Sequence, residues 1–166
     1  MSLALDTVFV AALKADETIT EIIGDRIWSI AAQMPEEAFL SNVDVPYLIV
    51  NFDGFSSDYG TKDDPFDSGD DNVNMSVTVA TETPEQLASL AAQVRRAIHD
   101  YLVAHDGEDG IPSSTVPGGG QKFYDDLKPC FGIDLTWQCA VSFDLTPDDD
   151  EQAEAEAEEG AADDNG

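Results

Sequence analysis

The feature that most constrains the fold is a long alternation of apolar and polar residues near the end of the chain, FGIDLTWQCAVSFDLT at 131–146. Apolar side chains recur at every second position, which is typical of a strand with one buried face and one solvated face. At ~3.3 Å per residue the segment would be roughly 50 Å long, whereas strands usually contain about 3–10 residues. A small domain must therefore bend this strand around its core or let it extend beyond the core. The apolar positions are Phe131, Ile133, Leu135, Trp137, Cys139, Val141, Phe143 and Leu145.

The composition indicates one folded domain followed by an acidic tail. The chain has 166 residues, of which 42% are hydrophobic, which is enough for one domain with a core. Residues 147–166 contain ten acids, no bases and no large apolar side chain, so this segment cannot bury enough surface to fold. We expect one domain over residues 1–146 and a disordered tail over 147–166. The ten acids are Asp148, Asp149, Asp150, Glu151, Glu154, Glu156, Glu158, Glu159, Asp163 and Asp164.

The net charge of −28 restricts the partners that the protein can bind. Direct binding to nucleic acid phosphates or to anionic membranes calls for patches of Lys and Arg. The sequence contains no run of about 18 or more apolar residues, so it predicts no membrane span. The N-terminus carries Asp6 and no basic region, so it does not resemble a signal peptide. These observations predict a protein that stays in a cytoplasm, or within whatever is assembled there.

The high Asp content and the low Lys content suggest the kind of organism from which the protein comes. The chain has 23 Asp, 12 Glu and only four Lys. Repulsion among so many acids destabilises the compact state, but at ~1 M salt the Debye length falls to about 3 Å and most of that penalty disappears. An Asp-rich, Lys-poor surface resembles the proteins of salt-loving archaea, which favours a halophilic source. The alternative is an ordinary acidic protein with an acidic tail.

Periodicity and capping signals predict three helices. Apolar residues at helical spacing indicate a leading helix over 3–13, with Ser2 as its N-cap. A short helix is expected between a capping Asp16 and a terminating Gly24. The strongest signals mark 84–104. Its apolar stripe follows Thr83 as N-cap, Pro84 in the first turn and Gln86 as the end of a capping box. The apolar side of the short helix is assigned to Ile19, Ile22 and Ile23.

The strands complete an α+β fold, with an antiparallel sheet of about four strands and helices packed on one face. A short strand is predicted at 26–30, and alternating strands at 46–52 and 73–81 are expected to form an antiparallel hairpin. Residues 33–45 are interpreted as a loop. Residues 105–121 are interpreted as a flexible connection to the long strand.

The segment between the two hairpin strands, 53–72, is the principal candidate for an interface. It is predicted to be a loop of about twenty residues rich in Asp, Gly and Ser, and hairpin loops this long are usually functional or disordered. Its carboxylates could hold calcium, but the EF-hand frame fails because Phe66 occupies a ligand position. A solvated loop that orders against a partner is the preferred interpretation. The candidate residues are Asp58, Tyr59, Lys62, Asp63, Asp64, Phe66, Asp67, Asp70 and Asp71.

Motifs for catalysis or cofactor binding do not appear in a convincing frame. His99 and His105 have no second ligand at metal-binding spacing, so they are interpreted as surface or helix-terminal residues. The PGGGQK segment at 117–122 resembles a phosphate loop, but it is followed by Phe123 where a hydroxyl is needed, and it is interpreted as a connector. Cys130 and Cys139 lie on opposite faces of the predicted strand and are expected to be free thiols. The sequence predicts no enzyme, no cofactor and no metal.

A series of short motifs in the first two thirds of the chain resembles a known family. A leading helix is followed by ITEIIGDRIW at 19–28, Met34-Pro35 and VPYLIV at 45–50, and then by the strand and helix described above. This order is similar to that of the tail-terminator, or tail-completion, family of long-tailed phages, and the GDRI … PYLIV pair carries the likeness. It covers about residues 1–104, with the last strand in the expected place. The acidity, the 53–72 segment and the tail depart from the family pattern.

The resemblance implies a non-enzymatic virion protein. Members of this family form a ring, typically a hexamer, on the last ring of the tail tube. The ring ends tube polymerisation and presents a surface to the head-side connector or neck protein. The genome would pass through the bore without specific binding. With the Asp-rich composition, the resemblance implies a tailed virus of a haloarchaeon, assembled in the host cytoplasm, with this protein in the neck region of the virion.

Two hypotheses follow from combining the resemblance with the residues. The long strand could overhang its domain, so that its end or the 53–72 hairpin contacts a neighbouring subunit, or a bulge could bend it around the core. An acidic bore would let DNA pass because like charges repel, whereas a bore lined by Arg26, Arg95, Arg96 and the lysines would not fit. The alternative functions are a DNA-mimic inhibitor of a nucleic-acid-binding enzyme and another neck or connector protein. An enzyme with a metal in the acidic loop ranks last.

Overall fold

The computed structural model describes residues 5–30, 44–57, 68–126 and 129–144. Within them lies a five-stranded sheet with three helices, in an α+β arrangement, and the strand order is β1-β2-β3-β5-β4. Every neighbouring pair is antiparallel except β1 and β2, which run parallel. The elements in chain order are α1 (Leu5–Ala15), α2 (Glu17–Ile23), β1 (Ile27–Ser29), β2 (Tyr47–Ser57), β3 (Ser68–Thr81), α3 (Pro84–Ala104), β4 (Ser114–Asp125) and β5 (Cys130–Asp144).

The helix ends follow the capping signals of the sequence. The Asp16 side chain accepts a hydrogen bond from the Ile19 backbone N–H at 3.0 Å, and Gly24 ends α2 with a positive φ of 63°. Thr83 accepts from the Gln86 N–H at 3.2 Å, and α3 has the predicted bounds. The leading helix ends at Ala15, two residues later than predicted, and the proposed Ser2 cap lies outside the described residues.

One part of the α2 prediction is wrong. Ile19 and Ile23 are fully buried, as expected, but Ile22 is 40% exposed. Residues at i and i+4 share one helix face, whereas Ile22 is rotated away from Ile23 by one position, which is about 100°. Ile22 therefore lies outside the buried face that Ile19 and Ile23 form.

The hairpin of β2 and β3 is confirmed, but the loop between these strands was predicted too long. β2 continues to Ser57 and β3 begins at Ser68, so both ends of the 53–72 segment belong to the sheet. A register shift between Phe52 and Gly54 lets β2 continue beyond the predicted strand, and Gly54 has a φ of 135°, which a side chain would disfavour. The Asp, Gly and Ser of this segment are poor strand formers. They form a strand because β5 pairs with β3 along that length.

The interpretation of 105–121 as a flexible connection is wrong for its second half, because residues 114–125 form the edge strand β4. The PGGGQK segment therefore lies in the sheet. The pairing of β4 with β5 shifts register between Pro117 and Gly120, as a bulge does. A Cβ at Gly118 would overlap the Thr136 side chain, so the glycine allows the close approach. The sheet consequently has five strands rather than four.

The long strand stays within its own sheet. Every residue of β5 from 131 to 144 has a partner in β3, which runs antiparallel to it from Thr81 back to Ser68. Residues 131–144 therefore do not overhang the domain, so this part of the hypothesis is wrong, although the last four residues of β5 extend beyond the start of β4. β5 is also not bent by a bulge of its own, because the extra residues at the β4–β5 register shift, Gly118 and Gly119, lie on β4. β3 instead pairs with 14 of the 15 residues of β5.

The helices cover one face of the sheet, and the core lies between them and the strands. The alternating positions of β3 and β5 are buried as predicted, from Val73 to Val79 and from Leu135 to Cys139. Phe9 of α1 meets Trp137 edge-to-face, with ring centroids 5.5 Å apart, a preferred aromatic geometry. Leu87, Leu90, Val94 and Ile98 supply the buried stripe of α3. No described helix has the length and apolar content needed to span a membrane.

Candidate interaction surfaces

The structure describes only part of the interface predicted from the sequence. Asp70 and Asp71 lie in β3, where they pair with Ser142 and Val141 of β5. Ser57 of β2 lies opposite Asp71 on the other side. These two acids thus belong to the sheet rather than to a loop. The other seven candidates lie outside the described residues: Asp58, Tyr59, Lys62, Asp63, Asp64, Phe66 and Asp67.

The end of β5 offers one surface for association. β4 begins at Ser114, opposite Ala140, so β5 extends four residues beyond it to Asp144. Among the described strands, only β3 pairs with this last part of β5. An unpaired strand edge is a template for pairing with another chain. The end of the sheet formed by the last residues of β5 is therefore a candidate contact surface, together with Asp70 and Asp71.

A larger surface is the groove between α3 and β4, which has a volume of about 690 Å³. Its floor includes Trp137, which is 4% exposed, and one wall carries Val103, which is 63% exposed. A hydrogen bond connects α3 to β4, because Arg95 Nη2 donates to the Gly118 carbonyl oxygen at 2.9 Å. We call this the α3–β4 groove. It is lined by Ala92, Arg95, Arg96, Ile98, His99, Leu102, Val103, Asp106, Pro112, Ser113, Ser114, Thr115, Pro117 and Trp137.

The α3–β4 groove concentrates positive charge in a strongly acidic chain. Two of the seven Lys and Arg residues of the protein, Arg95 and Arg96, line it together with one of the two histidines, His99. Arg96 lies 3.8 Å from Asp100 in an exposed ion pair, and pairs of this kind contribute little to stability. Asp106 is the acid in the lining. The lining thus combines apolar walls with two arginines and one carboxylate, and a second carboxylate, Asp100, pairs with Arg96.

The sheet face opposite the helices carries a small aromatic cluster. The rings of Trp28 and Tyr47 have centroids 6.3 Å apart. The strand registers place Tyr47, Ala80, Gly132 and Phe123 in one row across the sheet. The Phe123 ring covers Gly132, because a Cβ there would overlap it. Burial raises the pKa of Tyr47, with smaller contributions from the charges of Cys130 and Asp125, so the phenol is protonated at neutral pH.

One buried hydrogen bond between side chains links a helix to the sheet. The Ser29 hydroxyl donates to Asp6 Oδ2 at 2.6 Å, which joins α1 to β1. Cys130 and Cys139 are free thiols, as predicted, and both are buried. Burial raises the pKa of Cys139 to about 11, which a hydrogen bond from Thr115 partly opposes. A catalytic thiol needs the opposite shift.

The histidines occupy the surface positions predicted for them. His99 is exposed on α3, and His105 follows the end of α3, with Nδ1 2.9 Å from Glu108 Oε2. Within the described ranges, no three His, Cys, Asp or Glu residues are grouped to hold a metal.

The α3–β4 groove was not predicted from the sequence, because its second wall is β4, which was interpreted as a connection. The exposed Val103 and the pair Arg95-Arg96 were visible on the predicted helix, but nothing in the helix alone places a second wall beside them. One signal was available in KFYD at 122–125, where aromatic residues suggest a strand. The glycines that precede this segment are typical of a loop, and for that reason PGGGQK was interpreted as a connection.

Comparisons with known proteins identify a fold. No family model and no curated protein matches this chain. A solved chain in a structure described as "Virion of native gene transfer agent (GTA) particle" is similar, with a TM-score of 0.51 and 15% sequence identity. The likeness covers 84% of this chain and 95% of that one. The two chains are similar in their fold. At this identity the similarity reflects shared architecture rather than shared residues at a site.

Proposed function

We propose that the protein is a non-enzymatic structural component of a virion. The observation that carries this proposal is the fold likeness to a chain of a gene transfer agent virion, which spans nearly the whole of that chain. The absence of a catalytic arrangement among the described residues is compatible with it. The virion assignment agrees with the resemblance of residues 1–104 to tail-terminator proteins, which rests on different observations.

The more specific proposal is a tail terminator. The protein would form a ring, as a hexamer, on the last ring of the tail tube, end tube polymerisation and join the head-side connector. The support for this role is the order of short motifs from ITEIIGDRIW to VPYLIV. The acidic surface would let the genome pass through the bore without binding, because phosphates and carboxylates repel each other.

The candidate interface around 58–71 would contact the tube protein or the connector. In the described structure Asp70 and Asp71 belong to the tip formed by β2, β3 and β5. A tip that extends past the start of β4 suits contact with a neighbouring ring. The source would be a virus of a halophilic archaeon, a proposal that rests on the 23 Asp and four Lys of the chain.

The test is assembly of the tail tube protein of the same virion with and without this chain, followed by electron microscopy. A terminator should give tubes of limited length with a ring at one end. Tubes of unrestricted length without bound protein would contradict the terminator role. Binding to the connector but not to the tube would instead indicate a neck protein. Competition with duplex DNA for a nucleic-acid-binding enzyme would support the DNA-mimic alternative.

A further inference from the structure

The two edges of the sheet present different surfaces. The α3–β4 groove lies at one edge, and the chain departs from the sheet at the other. The strand order places β1 at one edge and β4 at the other. Four strand spacings of ~4.8 Å separate them by about 19 Å. The α3–β4 groove lies at the β4 edge. The chain leaves the β1 edge after Ile30, whose N–H donates to the Val50 carbonyl, and it returns before Pro46, which accepts from Arg26.

The segment that joins these points, residues 31–43, has the composition of a ligand for the groove. Its sequence AAQMPEEAFLSNV contains three large apolar residues, two acids and no base. The groove offers apolar walls with Arg95 and Arg96, and Asp106 is the one acid in its lining. A volume of about 690 Å³ can hold several large side chains, since pockets that bury whole small molecules have about 300–1,000 Å³. The apolar residues are Met34, Phe39 and Leu40, and the acids are Glu36 and Glu37.

The groove within the same molecule is a poor partner for this segment. Thirteen residues must leave the β1 edge and return to it, so about six are available in each direction. Six extended residues reach about 20 Å, which only equals the flat width of the sheet and leaves no length to pass around the helices. A second copy whose β4 edge faces this β1 edge has no such restriction. Ile30, at the departure point, is an exposed apolar residue at 49% exposure.

We propose that residues 31–43 of one copy bind in the α3–β4 groove of the next copy. The apolar side chains would contact the Trp137 floor and Val103, and the two acids would pair with the arginines. Because the two surfaces differ, the contact is head-to-tail, and such contacts form rings when the rotation closes. This contact deepens the proposed function, because it supplies the subunit interface of the proposed ring.

The first experiment locates the segment by photo-crosslinking. A benzophenone amino acid replaces Phe39 in the full chain, and the variant is mixed with isotopically labelled protein that lacks it. The expected result is cross-linked peptides that join Phe39 of one copy to α3 or β4 of the other isotope. Cross-links confined to one copy, or cross-links between copies at the open sheet face, overturn the proposal.

The second experiment compares two exposed valines. Val103→Glu places a charge in the α3–β4 groove, whereas Val116→Glu places the same charge on β4 outside it, and the native valines are 63% and 59% exposed. Light scattering over a concentration series should show association weakened at least tenfold by Val103→Glu and unchanged by Val116→Glu. Equal effects of the two variants overturn the assignment. Circular dichroism confirms that both remain folded.

A charge exchange tests the ionic part of the contact at about 0.15 M salt, where screening is moderate. Arg96→Glu should weaken association, and Glu36→Arg with Glu37→Arg should weaken it as well. Combining all three should restore at least half of the loss. The variant Lys14→Glu, at an exposed position on α1 outside the groove, is the control for a change of net charge. Failure of the combination to restore association overturns the pairing of these acids with Arg96.

The failure of this contact and the failure of the proposed function give different results. A ring that forms equally well with Val103→Glu overturns the groove contact and leaves the terminator role intact. Copies that remain monomeric at millimolar concentration overturn the contact in solution, and the tube-assembly assay then decides the function by itself. Loss of association with Val103→Glu, together with tubes of unchanged length, supports the contact and contradicts the terminator role.

Discussion

The placement of the core on one face of the sheet can be tested with two phenylalanines on opposite faces. Phe9 is 0% exposed beneath the helices and packs edge-to-face on Trp137. Phe123 is 37% exposed on the other face, where its ring covers Gly132. Replacing each by alanine removes the same atoms, so a difference in stability measures the difference between the two environments.

The expected magnitudes follow from burial. Phe9→Ala loses the transfer free energy of the ring and leaves an enclosed cavity, which together cost about 3–5 kcal/mol. Phe123→Ala loses only partial burial and leaves no enclosed cavity, because water fills the space, so about 1–2 kcal/mol is expected at ~25 cal/mol per Å². The free energy of unfolding should therefore fall by roughly 2 kcal/mol more for Phe9→Ala.

The assay is urea unfolding followed by far-UV circular dichroism at one fixed salt concentration. This signal is preferable to tryptophan fluorescence because Phe9 touches Trp137. An unchanged slope against urea would indicate that the variants unfold from the same compact state. Equal losses for the two variants, or a larger loss for Phe123→Ala, would refute the assignment of the core to the helical face.

Three further predictions concern the cap, the charge and the thiols. Thr83→Ala should lower the free energy of unfolding by about 1 kcal/mol because it removes the N-cap of α3, and Ser89→Ala, at an exposed position inside α3, is the control. Raising sodium chloride from about 0.15 to 2 M should raise the melting temperature, since it screens repulsion among the acids, and an unchanged melting temperature would contradict that reasoning. The pKa of Cys139 is raised from 9.0 to about 11, so the unfolded chain loses its thiol proton at a lower pH than the folded chain. Stability should therefore decline as pH rises from about 9 towards 11, and Cys139→Ala should reduce that decline. A thiol reagent at pH 8 should label neither cysteine before unfolding and both after it.

The sequence predicted those elements whose signals are local. The bounds of α3 follow from Thr83, Pro84 and a helical stripe, which act within a few residues of each other. The buried positions of β3 and β5 follow from a period of two, because a pleated strand turns successive side chains to opposite faces. The α+β class follows from the order of these elements. Local physics was sufficient for each of them.

The sequence could not predict β4 or the full length of β2 and β3. The residues of PGGGQK and of the acidic 53–72 segment have low strand propensity, and they form strands because a long neighbour offers backbone partners. That neighbour is β5, whose length was predicted but whose pairing was not. For the same reason, Asp70 and Asp71 were predicted to lie in a loop, whereas the structure places them in β3.

The sequence by itself determined the helices, the buried face of each main strand and the acidity that limits the possible partners. Only the tertiary structure decided that β5 would pair with β3 from Phe131 to Asp144, and that β4 would form one wall of a groove beside Arg95 and Val103. The physical reason is the range of the interactions. Caps and side-chain alternation act between near neighbours in the chain, whereas strand pairing and grooves depend on residues that only folding brings together.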